Sequence, residues 1–164
     1  MDKQRKCVFS GTFDPPTLGH KEIIQSARTL FDEVVIAIMV NPQKTPAFTL
    51  SQRKEMLKLA CGDLVGVKII EFSGTVAELL EKENTKFYVR GIRNTVDFEY
   101  ENANYFATKK LKKDVVPVYL PCSQELLHVS SSMVKNSLKF NTPIDEYVTE
   151  EVKTYIKKIQ SEER

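Results

Sequence analysis

The chain has 164 residues, 41% of them hydrophobic, and a formal charge of +2 from 24 basic and 22 acidic side chains. That size and apolar content suit one domain, expected over residues 1–164, with a full core and no need of disulfide or metal staples. Charge this balanced argues against a broad nucleic-acid footprint. The longest apolar run, VVIAIMV at 34–40, is too short to span a bilayer.

The N-terminal MDKQRKCVFSG lacks the apolar h-region of a signal peptide, so a cytoplasmic protein with no membrane partner is expected. KCVFS at 6–10 reads as a first strand. It leads into SGTFDPPTLGH at 10–20, a connection dense in turn residues. A helix follows, with His20, Ile23, Ile24, Ala27, Leu30 and Phe31 recurring on one face. VVIAIMV forms the second strand, and Thr49 with Gln52 marks a capping box opening a helix to Gly62. VKIIEF at 67–72 is the third strand, and Thr75 with Glu78 repeats the box before a short helix. KFYVR at 86–90 and VVPVYL at 115–120 are the fourth and fifth strands. Between them a helix runs from about Thr95 through Phe98, Asn102, Tyr105 and Phe106 to lysines that complement its C-terminal dipole. Two C-terminal helices complete the order, one opening at SSSMVKNSL and one carrying Val148, Val152, Tyr155 and Ile159 on a single face. The three cysteines, Cys7, Cys61 and Cys122, form no C-x-x-C pair and read as small buried hydrophobes.

Strict alternation of strands and helices implies an α/β fold: one doubly wound, parallel, five-stranded sheet of Rossmann-like type, followed by C-terminal helices. Such sheets bind ligands outside the carboxyl ends of their strands. This sequence places Gly11-Thr12, Asn41-Pro42-Gln43-Lys44, Ser73-Gly74, Arg90-Gly91-Ile92-Arg93 and Pro121-Cys122-Ser123 there. Cations, hydroxyls and small residues on one rim suit a phosphate-bearing ligand.

Within the first connection, Gly11 frees the strand exit, Pro15-Pro16 stiffens the turn, and Thr17 stands as N-cap with Gly19 in the first helical turn. A bare Gly19 lets a phosphate approach the helix N-terminus. His20 is the unexpected member, because an imidazolium in the first turn opposes the helix dipole unless an anion neutralises it. The spacing matches neither G-x-G-x-x-G nor a P-loop, which disfavours dinucleotide redox binding and P-loop nucleotide hydrolysis.

GTFDPPTLGH resembles the G-T-F-D-P…G-H signature of the nucleotidyltransferase superfamily, and Ser130-Ser131-Ser132 resembles its second signature, a serine-rich helix start. Within the superfamily the chain is similar to the phosphopantetheine adenylyltransferase family, on Thr17 in a T-x-G-H motif, YVRGIRNTVDFEYE at 88–101 and PQKTPAFTLSQR at 42–53. The resemblance implies adenylyl transfer from ATP to 4′-phosphopantetheine, giving dephospho-coenzyme A and pyrophosphate, with Mg²⁺ accompanying ATP and coenzyme A as a possible inhibitor. It implies a homohexamer. By position, Thr12 would hydrogen-bond the reacting phosphate, His20 would stabilise charge on the α-phosphate, and Lys44 would hold the acceptor phosphate. Arg93 joins these as a catalytic candidate. Val76 and Arg90 match acceptor-contacting positions. Phe13, Gly91, Ile92, Arg93, Glu101 and the segment Leu126, Leu127, His128, Val129, Ser130, Ser131, Ser132 match positions that hold ATP. No protein metal ligand is implied.

Plainer readings stand beside these. Arg90 and Arg93 could be ion-pair formers, Lys44 an ordinary loop lysine, Glu101 a partner for lysine on its own helix, and the serine run an N-cap alone. Adenylyl or cytidylyl transfer to another acceptor, such as nicotinate mononucleotide, is the nearest alternative activity, and a non-catalytic nucleotide sensor the more distant one. The chain departs from the family pattern at Ser10, where a proline is common, and at Leu126, where an aromatic residue is common.

Overall fold

The computed structural model describes residues 5–162. Its strands are β1 (Lys6–Gly11), β2 (Glu33–Met39), β3 (Val67–Phe72), β4 (Phe87–Ile92) and β5 (Val116–Pro121). They form one sheet in the order β3-β2-β1-β4-β5, every neighbouring pair parallel. The helices are α1 (Leu18–Leu30), α2 (Leu50–Cys61), α3 (Val76–Lys82), α4 (Thr95–Leu111), α5 (Ser131–Lys139) and α6 (Glu150–Glu162).

The central strands alternate between two buried faces, which is why they read as continuous apolar runs. Cys7, Phe9, Val34, Ile36 and Ile38 point into the larger core with residues of α1, α2, α5 and α6. Val8, Val35 and Ala37 point the other way, onto Leu79 and Leu80 of α3 and Tyr105 of α4. The capping boxes at Thr49–Gln52 and Thr75–Glu78 are both formed. Pro117, which has no N–H to give to a ladder, lies in β5 at one edge of the sheet.

Two apolar assignments differ from the sequence reading. Leu30, expected on the core face of α1, is 43% exposed, because the helix ends there and the chain turns its core-facing side chain over to Phe31. In α4 the sole buried residue is Glu101, whereas Val96, Phe98, Tyr100 and Phe106 are exposed. The Phe98 ring meets Tyr119 of β5 edge-on at 5.5 Å, yet among the described residues no element covers the outer face. Among the described residues, no helix is long and apolar enough to cross a membrane.

Sheet register opens the site. β1 stays paired with β2 as far as Gly11 opposite Ile38, but its pairing with β4 ends at Val8 opposite Tyr88. Strand order reverses at this same β1/β4 boundary, so the crevice lies at the topological switch point.

Candidate active site

The separation of β1 from β4 is filled by polar groups. The Ser10 hydroxyl lies 3.2 Å from the Tyr88 hydroxyl, and Arg90 Nη1 donates to the Ser10 carbonyl. The departure at Ser10 therefore adds a cross-strand hydrogen bond at the strand exit. Above it opens a cleft of about 910 Å³, lined among others by Thr12, His20, Lys44, Arg53, Arg90 and Ser131.

The first connection builds one wall. Phe13 takes a positive φ of 49°, which turns its ring inward to pack edge-on against Phe9 at 5.6 Å and His20 at 4.9 Å. A Cβ at Gly11 would meet that ring at 3.3 Å, so the glycine is what lets Phe13 fold back beneath the strand end. Thr12 is left exposed to the cleft. Gly19 is different: a Cβ there would make only an ordinary contact, 3.5 Å from Thr17 Oγ1, and the bare helix start opens into the cleft.

Thr17 caps α1, and its backbone N–H donates to His20 Nδ1 at 3.0 Å. His20 thus takes the place of the Glu or Gln of an ordinary capping box. With Nδ1 accepting, the proton of the neutral ring sits on Nε2. Burial, aided by the charges of Arg90 and Arg93, pulls the imidazole from 6.5 down to about 4. The dipole conflict anticipated for an imidazolium is removed by neutrality before any ligand is considered.

The second wall comes from β4 and α4. Arg90 makes a two-pronged ion pair with Glu101, Nε to Oε2 at 2.8 Å and Nη2 to Oε1 at 2.7 Å, while its guanidinium lies over the Tyr88 ring. Arg93 pairs with Asp97, Nε to Oδ2 at 2.9 Å, and this hydrogen bond holds the Asp97 carboxyl below the usual range. A Cβ at Gly91 would stand 2.8 Å from Ile23 Cγ1, so this glycine has a packing role between β4 and α1 as well as a place on the cleft.

The third wall is the start of α5. Ser130 accepts from the Met133 N–H, and the Ser131 hydroxyl donates to the Pro15 carbonyl at 2.8 Å, fastening this helix to the first connection. The N-termini of α1 and α5 therefore face one space, a favourable arrangement for anions.

Of the residues singled out by sequence, Thr12, Phe13, His20, Lys44, Arg90, Gly91, Arg93, Glu101, Val129, Ser130 and Ser131 line this cleft. Val76, Ile92, Leu126, Leu127, His128 and Ser132 do not. Val76 packs with the core on the α3 side, His128 is exposed and meets the Tyr147 ring at 6.0 Å, and Ser132 points outward from the first turn of α5. Sequence reasoning passed over Lys135, and took Asp14, Arg53 and Asp97 only as parts of quoted motifs, with no role of their own. Asp14 is buried and accepts from the Ala47 and Phe48 N–H groups at 2.8 and 2.9 Å, with Lys135 Nζ at 3.6 Å. It joins the first connection to the loop that carries Lys44.

Chemically, the cleft lacks an activated nucleophile. Burial raises the Cys122 thiol, His20 is neutral, and the carboxylates of Asp14, Asp97 and Glu101 are committed to backbone or cations. Such a site suits transfer between two bound substrates, driven by positioning and charge stabilisation. Among the described residues no group of three His, Cys, Asp or Glu side chains could hold a metal ion.

A family model described as cytidylyltransferase-like matches residues 8–137. A phosphopantetheine adenylyltransferase of Natranaerobius thermophilus is 33% identical over 91% of this chain and 92% of its own. Another from Dictyoglomus turgidum is 41% identical over 82% of this chain and 84% of its own. The chain belongs to the cytidylyltransferase-like family, among its phosphopantetheine adenylyltransferases. A solved structure titled as a putative nicotinate-nucleotide adenylyltransferase from Vibrio parahaemolyticus superposes with a TM-score of 0.71 at 20% identity, covering 94% of this chain and 92% of that one. That likeness concerns the fold. For a nucleotidyltransferase of this family, the cleft at the switch point is the candidate active site.

Proposed function

We propose that this enzyme transfers the adenylyl group of ATP to 4′-phosphopantetheine, giving dephospho-coenzyme A and pyrophosphate. The observation that carries the reading is the meeting of a neutral His20, its Nε2–H free to donate, with the N-termini of α1 and α5 in one cleft of a chain from this family.

An oxygen of the acceptor phosphate attacks the α-phosphorus, a new P–O–P link forms, and the bond to the bridging oxygen of the β-phosphate breaks. His20 Nε2–H donates to an α-phosphate oxygen as charge builds there, and Thr12 hydrogen-bonds the reacting phosphate. Lys44 and Arg90 serve the acceptor side. Phe13, Gly91, Arg93, Glu101 and the start of α5 serve ATP. Mg²⁺ enters as the counter-ion of ATP, offsetting the charge of the triphosphate; among the described residues no cluster of carboxylates offers it a seat.

The exposed apolar residues of α4 and the open edge at β5 support a contact between copies of this chain; that the assembly is a homohexamer and that it acts in the cytoplasm rest on the family resemblance alone. The decisive experiment is pyrophosphate release from ATP with a panel of acceptors. Phosphopantetheine should react, while dephosphorylated pantetheine, nicotinate mononucleotide and alcohol phosphates should not; release with nicotinate mononucleotide alone would overturn the reading.

A further inference from the structure

The cations of the cleft are not equivalent. Arg90 is paired with Glu101, Arg93 with Asp97 and Lys135 with Asp14, whereas Lys44 and Arg53 pair with no carboxylate among the described residues. Lys44 is exposed, and water can solvate it. Arg53 is 4% exposed.

A buried guanidinium without a counter-charge is costly, and the position makes it more so. Arg53 lies four residues beyond the N-cap Thr49, near the positive end of the α2 dipole, in a helix with no acidic residue in its first turn. Part of its hydrogen-bonding capacity is met: Nε donates to the Phe48 carbonyl at 3.1 Å and Nη1 to the Thr12 carbonyl at 2.8 Å. Nη2 has no protein partner among the described residues. It is not sealed in the core either, because no buried side-chain nitrogen or oxygen there lacks a hydrogen-bond partner. Nη2 therefore reaches accessible space, and the space that Arg53 lines is the cleft. The guanidinium is thus fixed by two carbonyls, one of them that of Thr12 in the cleft wall, carries an uncompensated charge and keeps one nitrogen accessible.

We propose that Arg53 is a substrate-binding residue whose Nη2 faces the acceptor's phosphate from the β2–α2 side of the cleft, sharing it with Lys44. Two carbonyls pre-orient the group, so little side-chain freedom is lost on binding. The identity of the phosphate rests on the adenylyl-transfer reading; the charge argument does not.

The test compares wild type, Arg53→Gln and Arg53→Lys by calorimetric binding of 4′-phosphopantetheine, pantetheine and ATP, with thermal melting as the control for folding. Arg53→Gln should weaken phosphopantetheine at least tenfold, leave ATP within about threefold, and flatten the salt dependence of phosphopantetheine binding. Arg53→Lys, which keeps the charge, should recover most of the loss. Equal weakening by Gln and Lys, or equal weakening toward ATP and acceptor, would show that Arg53 acts only as a tie to Thr12 and would overturn the proposal. If Arg53→Gln does not fold, Arg53→Lys decides: binding near that of wild type supports the proposal, and a loss with intact melting overturns it. A wild type that binds no phosphopantetheine sinks the adenylyl-transfer reading instead. Stabilisation by inorganic pyrophosphate then tests Arg53, and it must be present in wild type and Arg53→Lys and reduced in Arg53→Gln.

Discussion

The Thr17 backbone N–H donates to His20 Nδ1 at 3.0 Å, and this one bond sets both the direction and the proton position of the imidazole facing the cleft. A residue at the third position of a helix, which normally serves the cap, here serves the cap with one nitrogen and the cleft with the other. His20→Ala should fold, since Ile23, Ile24 and Ala27 still bury the core face of α1. It should bind ATP within a few-fold of the parent and lose at least about a hundredfold in kcat, the usual effect of removing one transition-state donor. A variant that keeps its turnover but loses ATP affinity would assign His20 to ground-state binding.

Neutrality of His20 has a consequence for stability. Its folded value of about 4 lies below the ordinary 6.5, so between those pH values the unfolded chain binds the extra proton. The contribution is therefore present above pH 6.5, is lost as pH falls toward 4, and changes no further below that. The shift is worth at most about 3 kcal/mol, less to the extent that the ring sees water in the cleft. Urea melts across this window should show a steeper decline for wild type than for His20→Gln; parallel curves would mean that the ring titrates normally.

Arg90 and Glu101 form a pair whose side chains are 20% and 8% exposed. Glu101→Ala strands the guanidinium in a half-dry site and should cost about 3 kcal/mol in denaturant unfolding. A double variant, Arg90→Met with Glu101→Leu, should recover at least half of that. Arg90→Ala should raise the KM for phosphopantetheine more than that for ATP, and an equal rise for both would make the pair purely structural.

Gly91 faces Ile23 so closely that Gly91→Ala must displace a side chain of α1. Destabilisation of roughly 1–3 kcal/mol is expected, with Ile23→Val restoring part of it in the double variant. If activity falls while the melting temperature does not, Gly91 acts through the ligand rather than through packing.

The outer face of α4 predicts assembly. Sedimentation or mass photometry at micromolar concentration should find an oligomer, and Phe106→Glu should weaken it without unfolding the chain. A monomeric wild type would end the assembly proposal.

Local signals in the sequence carried the elements. The capping pairs at Thr49 and Thr75, the apolar runs of the central strands and the turn chemistry of 10–20 each act over a few residues, so they survive without knowledge of the fold. Alternation of strand and helix then led to a parallel sheet and placed Thr12, Lys44, Arg90 and Arg93 on one rim. What lay beyond reach was which charges neutralise one another. Arg90 meets Glu101 eleven residues away on another element, and Asp14 grips a backbone thirty-three residues on. Arg53 appeared in the sequence only as the last residue of the segment 42–53, and its burial, with a hydrogen bond to the Thr12 carbonyl, depends on how α2 packs against the β1 exit. Even the charge of His20 was decided there, because a pKa depends on the dielectric and the distant arginines around the ring, which only the tertiary structure brings together.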